Sequence, residues 1–526
     1  MTRGLVVAAL LCLLVGSAVA SESGQTTIFA PELELDWPGD VREVRSWQVR
    51  SLQADHHDVG GWNSLINRST TGALISRHLV FHLPGTEWMP VALESDRDAD
   101  SIHRRWQSAD GAWMLDQRLH SSAAYRLLLS LELTRRETDL SPPDNQSLRL
   151  SVGPGIGEQP IEGLGIATRL YSFAEPLISL DGQTRRVTLS EAGQTEHFEA
   201  SGDTQWTGLN SRYFALLVRP LSGAINGFEF GLAESPDTEA LPERYLPWAA
   251  LDLMVPELAP GETTRWELEL FSGPKSRTAL SGGEADSSYI EVLFHGLWRW
   301  MRALSFALLM VLEWLYALIP NWGLAICLLA VLVRVLLFPL ARWALSSQQK
   351  FSAVQNEIKP ELARIKQSYK GGEQSERILQ LYEKHNVSPL AGLKPLLIVL
   401  IQIPVFVALF HVLGQAYELR EASFLWMASL AEPDRLFGFG VDLPFFGAYF
   451  NLLPVIMALS TLVTIQLSPA PISTAAEQRR HNLFLALMTV FFFLLFYPFP
   501  SGMVLYWTMA NILHIGQAWY SRHQAT

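Results

Sequence analysis

The sequence predicts a membrane protein in two parts: an all-β domain outside the bilayer, then an α-helical core of five spans carrying a cytoplasmic helical hairpin. Three observations lead there. Apolar residues are segregated, with a polar, aromatic-dotted stretch to residue 295 and long apolar blocks beyond it. Charge is segregated in the same way. Residues 1–295 carry 23 Lys/Arg against 40 Asp/Glu, and residues 296–526 carry 17 against 12. The third observation is an N-terminus that reads as an export signal.

Residues 1–20 are that signal, either a cleaved peptide or a signal anchor. Arg3 precedes an apolar stretch over 5–15, and Ala18 and Ala20 supply the small residues of a signal-peptidase site. Either way residue 21 emerges outside the cytoplasm. Two cysteines, Cys12 in the signal and Cys327 in an apolar block, leave no disulfide framework. The extramembrane domain must hold by core packing.

Residues 21–285 form that domain. Strand-like runs recur at 127–134, 148–152, 212–218, 228–232 and 266–271, parted by turn signals such as Pro142-Pro143-Asp144. A chain of this length and pattern suggests one large β-sandwich. Gly153, Gly155 and Gly157 are not a phosphate loop, since no Lys-Ser/Thr follows. The acidic balance argues against a nucleic-acid partner. No metal-binding cluster is predicted.

Residues 290–320 turn helical, with Arg299, Arg302 and Glu313 among Trp298, Trp300 and Trp314. Spans are predicted at 322–341, 395–416, 451–467, 482–498 and 503–520. The segment 342–394 has nine Lys/Arg against five acids, while 417–450 has two against five. The positive-inside rule therefore places 342–394 in the cytoplasm and 417–450 outside. An odd number of crossings must separate the β domain from 342–394, so 290–320 is expected to lie in the interface. The loop 468–481 and the tail 521–526 fall in the cytoplasm.

Within 342–394, Phe351, Val354, Ile358, Leu362 and Ile365 form one apolar stripe, and Gly371-Gly372 makes a turn. Ile378, Leu379, Leu381 and Tyr382 are expected to face back. Pro360 should kink or break the first helix. Lys350, Lys359, Arg364, Lys366 and Lys370 would give the hairpin a basic surface for recruiting partners.

Arg334 is the most informative residue. No acid shares its span, and an arginine at the bilayer centre costs about 2.5–3.5 kcal/mol on insertion scales, so it should face water or a partner. Gln402 lies at matching depth. Thr508, Asn511, His514 and Gln517 recur every third residue of the last span, and Ser460, Thr461, Thr464 and Gln466 are polar in the third. Together they suggest a hydrated pocket around an unpaired arginine, open to the cytoplasm and sealed outward by Phe491, Phe492 and Phe493. The spans 451–467 and 482–498 are short, and short spans thin a bilayer.

Residues 322–522 closely resemble the YidC/Oxa/Alb family of membrane protein insertases. The stretches that carry the likeness are VLVRVLLFPL at 331–340, LYEKHNVSPLAGLKPLL at 381–397, IQIPVFVALF at 401–410, ELREASFLW at 418–426 and FPSGMVLYW at 499–507. WTGLNSRYFALL at 206–217 and FSGPK at 271–275 are similar to the periplasmic domain of Gram-negative members. The resemblance implies a periplasmic β-super-sandwich, an interfacial helix and five core helices in the bacterial inner membrane. It implies a groove with Arg334 at its centre and Gln402, Trp507 and Asn511 on its walls. It also implies action on nascent membrane proteins, alone or beside the Sec translocon, without a cofactor. The short tail, with Arg522 its one charge, speaks against direct ribosome docking. Ser388 and Lys394 depart from the family's usual residues.

Two other functional classes fit the sequence less well. A transporter predicts ionisable or broken helices in two repeated halves, and no such repeat is visible. An envelope enzyme or assembly factor would use a carbohydrate-binding-like β domain. Its candidate carboxylates, Glu191, Glu196 and Glu199, show no catalytic spacing, so a non-enzymatic role is expected.

Overall fold

Alternation of apolar and polar residues builds the first unit of the chain. In the strand Arg126–Arg135, Leu127, Leu129, Leu131 and Leu133 are buried, while Leu128 and Glu132 are partly exposed. That period of two puts one face of a pleated strand into a core. The computed structural model describes residues 26–30, 33–36, 46–50, 62–64, 79–91, 101–136, 146–156, 174–189, 193–200, 204–234, 245–282, 289–385, 394–443, 446–467 and 475–524. The signal at 1–20 and Glu191 lie outside them.

Four of the five runs read as strands lie within the strands Arg126–Arg135, Ser147–Val152, Ile225–Glu234 and Thr263–Pro274, and the run 212–218 enters its strand, Phe214–Ser222, only at Phe214. They belong to antiparallel sheets of nine and five strands. In the larger sheet Thr263–Pro274 pairs with both Phe214–Ser222 and Arg126–Arg135. In the smaller, Tyr245–Met254 lies between Ile225–Glu234 and Ser147–Val152. Thr204–Asn210 of the larger sheet packs on Tyr245–Met254 of the smaller. A further four-stranded sheet is formed by Thr26–Ala30, Leu33–Asp36, Ser46–Arg50 and Trp62–Ser64. Glu196 and Glu199 sit three apart on one strand, hence on opposite faces, and cannot act as a carboxylate pair.

Two buried polar groups stand out in this unit. Arg126, 1% exposed, pairs with Glu269 at 3.0 Å. Glu269 also accepts from the Tyr289 hydroxyl at 2.6 Å, and the guanidinium lies 4.9 Å from the Tyr289 ring centre. Lys275 is buried, and its Nζ donates to the Ser211 carbonyl at 2.9 Å. Burial pushes the Lys275 amine down to about 8, outweighing the attraction of Glu175. The unfolded chain therefore binds more protons above that value, and stability rises with pH there. Guanidinium unfolding of the intact protein should show a midpoint that climbs from about pH 8 to 9.5, below the range where tyrosines ionise. Lys275→Met should flatten that climb. A climb that persists in the variant would assign it to another group.

The second unit, from Phe294 onward, is helical apart from one hairpin. Its helices are α1 (Arg299–Leu318), α2 (Trp322–Ser368), α3 (Gly372–Lys384), α4 (Lys394–Gln415), α5 (Leu453–Leu467), α6 (Ala475–Phe496) and α7 (Ser501–Gln524). Helix α7 packs on α5 and α2, α1 packs on α4 and α2, and α6 packs on α5. Both α1 and the part of α2 over Trp322–Leu340 are long and apolar enough to cross a membrane. Shorter apolar helical stretches occur at Gln402–Gln415, Leu453–Thr464 and Asn482–Phe496. Val335, Leu336, Leu483 and Leu487 point outward, as lipid-facing positions do.

Three expectations need correction here. Helix α2 runs unbroken for 47 residues through Pro339 and Pro360, so Pro360 does not break it. A single lost hydrogen bond is carried by the cooperative helix on either side. Leu379 is exposed, while Ile358 and Leu381 are buried. Residues 379 and 381 point about 200° apart round a helix of 3.6 residues per turn, so a run such as 378–382 cannot all face one way. Helix α6 starts at Ala475, inside the stretch 468–481 expected to be loop. Gly371, at φ +67°, makes the turn between α2 and α3, a conformation that favours glycine.

Candidate functional site

The helix period brings a polar seam together between α2, α5 and α7. Thr508, Asn511, His514 and Gln517 are spaced three apart along α7 and so drift slowly round one side of it. Arg334 on α2 reaches that side. Its Nε donates to Gln517 Oε1 at 2.9 Å, and an Nη donates to His514 Nδ1. A guanidinium can only donate, so Nδ1 accepts and the His514 ring is neutral on that nitrogen. Arg334 is therefore not unpaired, as its own segment led one to expect, because α7 places two acceptors beside it. Among the described residues no carboxylate pairs with it, so its charge is held by neutral groups.

Asn511 bridges to α5, its Nδ2 donating to Ser460 Oγ at 3.3 Å and Thr461 Oγ1 at 2.8 Å. Those hydroxyls, with Thr464 and Thr508, donate back to carbonyls three or four residues earlier in their own helices. This i−4 bonding satisfies a hydroxyl inside an apolar helix while leaving oxygen lone pairs free to accept. Thr464 is half-buried and Thr508 buried. Gln402 is half-buried on α4.

Trp507 belongs to an aromatic cluster rather than to the polar seam. Its ring centre lies 5.2 Å from Phe406, 5.3 Å from Phe496 and 6.1 Å from Phe492. Of the three phenylalanines expected to close the bundle, Phe492 joins this cluster, Phe493 contacts Tyr497 and Phe491 is exposed. Successive helical residues point about 100° apart, so one layer takes one of the three.

Beyond the aromatics lies a clamp that sequence reading missed. Asp434 is buried and accepts on one oxygen from the Trp426 indole at 2.9 Å and from the backbone of Leu452 and Leu453 at 2.8 and 2.9 Å. It thus satisfies amides at the start of α5, where a carboxylate also suits the helix dipole. Asn451 accepts from the Arg435 amide at 3.0 Å and donates to the Tyr497 carbonyl at 2.9 Å. Ser501 at the head of α7 donates to the Ser429 carbonyl at 2.8 Å. An acid and an amide in a polar loop carry no periodic signal, which is why they were not legible.

Of the basic hairpin residues, Arg364, Lys366 and Lys370 are exposed; Lys350 and Lys359 lie on α2, with side chains outside the described residues.

Residues 314–526 match the model of the 60Kd inner membrane protein family. The membrane protein insertase YidC of Syntrophobacter fumaroxidans is 28% identical over 391 residues, 72% of this chain and 66% of that protein. The Janthinobacterium protein of the same name is 30% identical over 354 residues, 66% of this chain and 58% of its own. The chain spans 55% to 66% of the length of the first such relatives. A crystal structure of an active YidC insertase, 18% identical, aligns over 98% of each chain with a TM-score of 0.35, too loose a superposition to inform the helix arrangement.

Proposed function

We propose that the chain is a membrane protein insertase of the YidC family, whose inner membrane module its residues 314–526 match. Its substrates are nascent membrane proteins, which it inserts and helps to fold alone or beside the Sec translocon. The observation that carries this reading is a cation held by neutral partners inside an apolar helical bundle: Arg334 against His514 and Gln517. An arginine neutralised by a carboxylate would attract nothing further. One whose partners are neutral keeps its field for an incoming acidic tail, worth about 4 kcal/mol at 4 Å and an effective dielectric of 20. Asn511 with Ser460 and Thr461 supplies donors and acceptors for the tail's peptide groups.

The charge asymmetry supports a cytoplasmic 342–394 and tail and a periplasmic β domain and 417–450, with five spans between. Helix α1 then lies in the interface, with Trp298 just ahead of it and its own Trp300 and Trp314 exposed. Gln402, Thr464, Thr508 and Trp507 complete the groove wall. The exposed Arg364, Lys366 and Lys370, with Lys350 and Lys359, form the recruiting surface for targeting partners.

Purified protein reconstituted into liposomes should insert a small single-span protein without ATP and without a solute gradient. Insertion should be read as protease protection of the translocated tail. Protection no greater in these liposomes than in empty ones would overturn the reading.

A further inference from the structure

The hairpin formed by Phe437–Leu443 and Gly447–Phe450 is apolar on its outside. Phe437, Val441, Leu443, Phe446 and Tyr449 are exposed, Val441 at 61%. Soluble proteins rarely display such a cluster, and residues 436–450 hold a single charged side chain, Asp442. An isolated two-stranded hairpin is marginal in water. This one is pinned at its base: Leu436 N donates to the Phe450 carbonyl at 2.8 Å, and just beyond that pair the Arg435 amide donates to Asn451 and the Leu452 amide to Asp434. Phe437 and Phe450 stack across the strands at 5.0 Å. Rigidly held at one end and apolar at the other, it needs an apolar medium to rest in.

A second feature sits on the neighbouring turn, which Trp426 ties to Asp434. Leu425 stands 74% exposed at φ +52°, in the left-handed region that costs a non-glycine residue about 1–2 kcal/mol. Phe424 and Met427 exchange both backbone hydrogen bonds around it, and Phe424 fills the space over Gly323, where an added Cβ would lie 2.0 Å from its ring. The fold thus holds a leucine outward in an unfavourable conformation.

We propose that this hairpin, with Leu425, is an interfacial lipid anchor that seats in the leaflet at the ends of α4 and α5. The occupant is bilayer rather than another protein because of where the patch sits. Hairpin and helix are separated by Asn451 and Leu452 alone, so the hairpin stands at the level where the lipid-facing surface of the bundle ends. The patch continues that surface, and Asp442 is the one charged residue in its sequence. Its composition is that of an interface, aromatic and aliphatic with an arginine beside it: the Arg435 guanidinium stacks 5.2 Å from Tyr449 and pairs with Glu432 at 3.0 Å. The proposal rests on the bundle lying in a bilayer and not on the seam's role.

The full chain, with Cys12→Ser and Cys327→Ser, should be labelled with an environment-sensitive fluorophore at Val441→Cys and reconstituted into phosphatidylglycerol/phosphatidylethanolamine liposomes. Asp181→Cys, on an exposed turn of the β domain, is the aqueous control, and Leu487→Cys on α6 is the lipid control. Seating ~5–10 Å into the headgroup–acyl boundary makes the ratio of quenching by shallow acyl-chain nitroxide to quenching by iodide about five-fold or more above that of Asp181→Cys. A ratio equal to that of Asp181→Cys overturns the proposal, as does protection from both quenchers, which means a protein covers the patch. Weak lipid quenching at Leu487→Cys as well would locate the failure in the bilayer reading itself.

Discussion

Arg334→Glu is expected to abolish insertion of single-span proteins with acidic N-terminal tails, while those with basic tails insert at or above the native rate. The guanidinium is the one charge among the described groups of the seam, and its partners Gln517 and His514 bring none to oppose it. Removing it in Arg334→Ala deletes an attraction of a few kcal/mol, so acidic-tail insertion should fall by one to two orders of magnitude, about tenfold per 1.4 kcal/mol. Neutral-tail substrates should change by less than about threefold, since burial of their apolar span drives them. Arg334→Lys keeps the charge but loses the fork that reaches two partners, and should fall between. Protease protection of tails of graded charge in liposomes measures all four. An alanine variant that inserts acidic tails normally would remove Arg334 from the mechanism and leave it a packing residue.

The second large effect lies in the β domain. Glu269→Ala should destabilise it by about 3–5 kcal/mol, because it strands the Arg126 guanidinium in a buried site. It also leaves the Tyr289 hydroxyl without its acceptor. The double variant Arg126→Met with Glu269→Met should recover most of that loss, since an apolar pair of similar volume carries no desolvation cost. Denaturant midpoints of the three proteins decide it. Equal losses in the single and double variants would show that shape, not charge, holds the site.

The parts of the fold that were legible are those where one period dominates. Leu127, Leu129, Leu131 and Leu133 announce a strand because their alternation is uninterrupted. Trp113–Ala123 passed unnoticed, since Asp116, Gln117, Arg118 and His120 blur the pattern even though Leu115 and Leu119 are buried. The three-residue spacing of Thr508, Asn511, His514 and Gln517 pointed to a polar face, and two of the four do meet Arg334. That they would be partners was not readable, because helix pairing is a tertiary choice that one helix's pattern does not encode. Asp434 and Asn451 were invisible for the same reason: each bonds backbone far away in sequence or across a loop.

Helix α2 is also a ruler. At 1.5 Å per residue its 47 residues extend about 70 Å, more than twice the roughly 30 Å of hydrocarbon in a bilayer. Arg334 and the exposed Arg364 therefore stand about 45 Å apart along one continuous rod. A polypeptide gripped at both points must spend on the order of fourteen extended residues between them, at about 3.3 Å each. Tails shorter than that reach one arginine or the other, and chain length becomes a criterion the rod imposes before charge is ever felt.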